Sequence, residues 1–136
     1  MTEERDRNAF ELAARLDRLR DSENAKAAVL IQGFARDAHA AGILPERLSA
    51  RPYSGRSMMR TNITGWYIKR DHSVGISVDG HFYLLHAPGG IKERLRGVTL
   101  EPSPAPLEIG RGARDGESMP LTESLAKRLA AGNGGY

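Results

Sequence analysis

The 136-residue chain contains no cysteine, which removes disulfide frameworks, thiolate catalysis and sulfur-ligated metals from consideration. It has no apolar run near the roughly 20 residues needed to span a bilayer. Its first residues, MTEERDRNAFEL, lack the apolar central region of a secretory signal. The expectation is a cytoplasmic protein with no membrane partner. Missing too are HExxH, facial-triad spacing, a GxSxG or SxxK serine, and both glycine-rich phosphate-loop patterns. Three of the four histidines, His72, His81 and His86, cluster in sequence, but His81 and His86 are five apart on one expected strand and so fall on opposite faces. Ser77 and His86 share a face without an orienting acid or an oxyanion hole. No metal site, cofactor or catalytic residue is assigned, and the reading leans away from an enzyme.

Charge is present but nearly balanced, at a net +3 from 20 basic and 17 acidic side chains. The imbalance sits in residues 41–100, where nine basic side chains face four acidic ones. Within that segment Arg51, Tyr53, Arg56, Arg60, Trp66 and Arg70 mix cations with aromatics, as nucleic-acid surfaces do. Further on, Arg111 and Arg114 punctuate a glycine-rich run, 110–116, whose amides and cations could meet an anion. That run is read first as a solvated loop.

Helical spacing marks both ends of the chain. Ala9, Leu12, Ala13, Leu16 and Leu19 predict an amphipathic helix of about five turns. Asp21-Ser22 is read as a break and a new cap, starting a second helix over 23–41 with a wide apolar arc. Gly42 and Pro45 end it. Leu121, Leu125, Ala126 and Leu129 predict a final helix, and residues 132–136 are read as a flexible C-terminal tail after a single domain, 1–131.

Between them, 62–88 reads as three antiparallel strands. Asp79-Gly80 predicts a two-residue type I′ turn, which sets Val78 opposite His81, Ile76 opposite Tyr83 and Gly75 opposite Leu84. A four-residue loop, Arg70–Ser73, sets Trp66 opposite Ser77. Both faces come out apolar, so each needs a cover. Segregated helices and strands give an α+β fold: an N-terminal helical hairpin on a central antiparallel β-meander of three to five strands, closed by a C-terminal helix.

The functional expectation is a small non-enzymatic binding or adaptor domain acting through protein–protein contacts. A homodimer formed through the sheet or the first helix is included. The alternative is a nucleic-acid-binding accessory protein using segment 47–70, and a small enzyme with an unrecognised site comes third.

Overall fold

In the computed structural model, which describes residues 2–55, 57–110 and 118–136, the two expected N-terminal helices are one helix, α1, Thr2–Ala40. The helical hairpin is thereby corrected. Asp21-Ser22-Glu23-Asn24 can cap a helix where a chain turns away, but none is glycine or proline. Each costs no more than about 0.7 kcal/mol inside a helix, so nothing forces a break. The true end lies at Gly42, with φ +72°, where Ile43 N donates to Ala38 O at 3.0 Å and satisfies a carbonyl of the last turn.

Five strands follow: β1 (Glu46–Pro52), β2 (Met59–Tyr67), β3 (Val74–Ser77), β4 (Phe82–Leu84) and β5 (His86–Ala87). They form one sheet in the order β4-β3-β2-β1-β5. Successive pairs from β1 to β4 are antiparallel, whereas β5 runs parallel to β1. The sheet is therefore mixed, not an antiparallel meander. Only Leu85 separates β4 from β5. Its N donates to Ser73 O, and its O accepts from Arg51 N, both at 2.9 Å. Segment 82–87 thus lies against both margins of the sheet and closes it on itself.

Closure gives each apolar face its cover. The enclosed face holds Leu48, Ile63, Tyr67, Tyr83 and Leu85. The outer face presents Trp66, Ile68, Val74, Ile76 and Phe82 to Ala27, Ile31, Phe34, Ala35 and Ala38 of α1. Leu121 and Leu125 of the C-terminal helix α3 (Leu121–Ala131) complete that core. Trp66 is its centre. The indole meets Phe34 edge-on, with centroids 5.7 Å apart and planes at 89°, and its N–H donates to Ile43 O at 3.0 Å.

Both hairpins differ from expectation by one residue. Ser77 N donates to His81 O, and Gly80 N to Ser77 O, so the β3–β4 loop holds three residues, Val78-Asp79-Gly80. Gly80 alone has positive φ, +84°. This is a tight turn followed by a left-handed glycine rather than a type I′ turn. Ile76 therefore pairs with Phe82 and Gly75 with Tyr83. On the other side Ile68 N donates to Val74 O, and Trp66 pairs with Ile76 rather than Ser77. A one-residue slip moves a strand's side chains to the opposite face. The two slips cancel between β2 and β4, so Trp66 and Phe82 do share a face, but β3 between them is inverted.

The rest of the chain braces this unit. A short helix α2 (Ile91–Arg96) precedes Gly97, at φ +85°, and Val98 bridges to Thr61. A two-stranded ribbon of β6 (Glu108–Ile109) and β7 (Met119–Pro120) leads into α3. Leu107 N donates to Glu23 Oε1 at 3.0 Å, and Ser124 Oγ donates to Ile68 O. Among the described residues no helix is long and apolar enough to cross a membrane.

Candidate interaction surface

The domain uses only the second half of α1. Its buried residues begin at Ala27, and every residue from 2 to 22 is exposed except the half-buried Ala14. Those 21 residues make an arm of about 32 Å at ~1.5 Å per residue. The arm is not polar all round. Phe10 is 76 % exposed, Leu12 53 %, Leu16 52 % and Leu19 62 %. Ala9, Leu12, Leu16 and Leu19 follow one another at spacings of three, four and three, the pattern by which one helix seats against another. The arm persists as a helix on alanine, leucine, arginine and glutamate, which favour helices. Arg20 and Asp17 add one exposed ion pair at 3.9 Å, a small term.

Of the cationic and aromatic positions singled out in the sequence, Arg51, Tyr53, Arg60, Trp66 and Arg70 are described. Arg51 lies on β1, with Nη2 donating to Asp71 O at 3.4 Å, and Tyr53 stands 72 % exposed just beyond that strand. Arg60 is exposed on β2, its carbonyl accepting from Val98 N. Trp66 is buried in the core. Arg70 sits 4.8 Å over the Tyr136 ring. Arg56, Arg111, Arg114 and nearly all of the 110–116 run lie outside the described residues.

A polar cleft of about 330 Å³ opens where Pro45, Glu46, Trp66 and Tyr67 meet Arg128 and the C-terminal residues. Arg128 Nη1 donates to Gly132 O at 2.7 Å, while its Nε has no hydrogen-bond partner among the described residues. Burial lowers the guanidinium's pKa, and the charges at Tyr136 and Glu46 offset only part of that. Asn133 accepts from Leu44 N at 2.8 Å and donates to Gly42 O at 3.0 Å, fastening 132–136 to the end of α1. His72, at φ +61°, stacks on Tyr67 at 3.7 Å, and its Nε2 lies 2.6 Å from Tyr136 O. The loop that holds it is built by Asp71, whose Oδ1 accepts from Ser73 N at 3.0 Å and Ser73 Oγ at 2.6 Å. Burial raises the Asp71 carboxyl, but those hydrogen bonds and the Lys69 ammonium outweigh it, and its pKa lies below the ordinary value.

The sequence offered the first helix as one of two routes to a homodimer, but the break expected at Asp21-Ser22 would have folded it back onto the second helix and hidden the arm. A signal was present. Ala9, Ala13 and Leu16 stand 18 residues before Ala27, Ile31 and Phe34, which is five turns at about 3.6 residues per turn. The arm therefore continues the same face that packs on the domain. No family model, no curated protein and no solved structure matches this chain.

Proposed function

We propose that the protein is a small non-enzymatic binding or adaptor domain whose contacts are made by the α1 arm. One observation carries this: a helix of 39 residues, against an average of about 11–12, exposes Leu12, Leu16 and Leu19 along a single line. An exposed apolar stripe on a helix that nothing covers is a solubility cost without a structural return, and such surfaces mark interaction sites. Helix-to-helix docking fits the three-four spacing. The globular part then serves as a mount, since α1 is anchored by its second half in the core and by Gln32 Nε2 donating to Gly80 O at 3.0 Å.

The test is in cells that make the protein, with a proximity-labelling enzyme fused to it. Neighbours labelled by the wild type and lost with Leu12→Asp/Leu16→Asp/Leu19→Asp support the reading. The same neighbours around both proteins overturn it. All three leucines are at least half exposed, so their replacement leaves the core intact.

A further inference from the structure

The five-turn repeat along α1 restricts what can lie against the arm. Leu16 points the way Phe34 does, and Phe34 is packed on the sheet. The arm's apolar line therefore faces the side on which the domain sits. A helix running parallel along that line would reach its neighbour's domain by Ala27, where the same face is already filled. An antiparallel helix runs along that line toward Thr2, away from the domain.

We propose that the occupant is a second copy of this chain, the two arms paired antiparallel about a two-fold axis beside Ala13. This rests on the reading of α1 as the docking element. Leu12 of each copy then meets Leu16 of the other, and Ala9 meets Leu19. Thr2 falls opposite Lys26, so the pairing extends along the arm to just short of the first buried residue of the other copy, Ala27. Charge agrees with the direction. In the antiparallel arrangement Arg20 of each copy flanks Asp6 of the other, giving two complementary pairs, against one like-charged contact of Arg15 with its own counterpart. A parallel arrangement would set Arg15 beside Arg20 along both seams. Segment 82–87 hydrogen-bonds to β3 and to the end of β1, which leaves less free edge for backbone pairing between sheets.

The absence of cysteine makes the geometry directly testable with single-cysteine variants of the full chain. Sedimentation equilibrium from micromolar to millimolar concentration should show a reversible monomer–dimer equilibrium. Leu16→Asp should weaken it by at least about tenfold. Asp6→Arg should weaken it too, and Asp6→Arg/Arg20→Asp should restore it. Arg15→Gln should tighten it. Under mild oxidation Ala13→Cys should form a covalent dimer and Ala9→Cys should not. Cross-linking through Ala9→Cys in preference to Ala13→Cys overturns the antiparallel pairing, as does a charge swap that fails to restore. A protein that stays monomeric throughout, with its arm helical by far-ultraviolet circular dichroism, overturns the second copy while leaving the arm for a different protein. A dimer that survives Leu16→Asp overturns both readings.

Discussion

Replacing Gly65 by alanine places a methyl group where the closed sheet has no room. A Cβ there would sit 1.9 Å from Ile76 O and 2.7 Å from Ser77 Cα, both backbone atoms. Ile76 cannot retreat easily, since it pairs with Trp66 on one side and Phe82 on the other. The strands must part by more than an ångström, which sacrifices the bond from Val78 N to Thr64 O and disturbs the indole next door. Overpacking costs about 1–3 kcal/mol, each lost hydrogen bond about 1 kcal/mol net, and the stiffer unfolded chain returns about 0.4–1 kcal/mol. With a contact as short as 1.9 Å to a backbone atom the top of the overpacking range applies, and the net loss is about 3 kcal/mol, a large part of the roughly 5–15 kcal/mol that holds a domain together. Gly75→Ala is the calibrating variant. Its Cβ would meet Leu48 Cδ1 at 2.7 Å and Leu85 Cδ1 at 3.3 Å, with Trp66 O at 3.2 Å. The closest of these is the end of a side chain that can rotate, so about 1 kcal/mol is expected. Urea unfolding followed by the fluorescence of Trp66, the only tryptophan, reads both. At a slope near 1.5 kcal/mol per molar, Gly65→Ala should lower the midpoint by about 2 M and Gly75→Ala by less than about 1 M. Equal midpoints for Gly65→Ala and wild type, or the reverse ranking, would refute the register of β2 on β3.

Trp66→Phe removes the indole N–H and leaves Ile43 O without its donor, so a loss of about 2 kcal/mol is expected by thermal melting. Trp66→Ala should cost about 3–5 kcal/mol, and equal losses for the two would show that the hydrogen bond contributes nothing. Because the Asp71 pKa is lowered in the folded state, its charge stabilises the fold above the unfolded value of about 4 and stops doing so as pH falls through the folded value. Asp71→Asn should therefore lower stability at pH 7, by at most about 1 kcal/mol for a carboxylate that stays more than a third exposed beside a buried Lys69. The difference should shrink as pH falls through the lowered folded value and vanish below it, and a gap that does not change with pH would exclude charge as its origin. Hydrogen exchange at low micromolar concentration should find amides over 5–20 poorly protected and those over 31–38 strongly protected. Uniform protection along α1 would mean that the arm is held by something in the isolated chain.

The sequence was most legible where short-range chemistry decides. Gly42 ended a helix, Leu121, Leu125 and Leu129 made one, and the run 62–88 made strands. Failures came where two outcomes differ by little. Asp79-Gly80 supports both a two-residue and a three-residue loop, and Gln32 reaching Gly80 O from α1 is a long-range contact that no local pattern announces. Asp21-Ser22 was ambiguous in the same way, since a good cap is also a tolerable helix interior. β1 was hidden by its own composition: ERLSARP carries two arginines and a proline, and its strand character comes from pairing with β2 and β5. The arm was legible only by comparing residues five turns apart. Arg56, Arg111 and Arg114 lie outside the described residues, and the remaining cationic positions were joined by sequence proximity alone.

The segment 82–87 has a consequence for how the chain reaches this state. It must satisfy β3 and β1 together, and residues 51 and 86, which pair across the seam, are far apart along the chain. Two hairpins can form early from local contacts, but the seam forms only once β1 has already found β2, so closure is a late and all-or-none event. Until then the enclosed tyrosines and leucines remain open to water, and the half-made sheet is the species most exposed to mispairing. Synthesis from the N-terminus delivers α1 first, so the helix waits as a preformed wall for strands that arrive later.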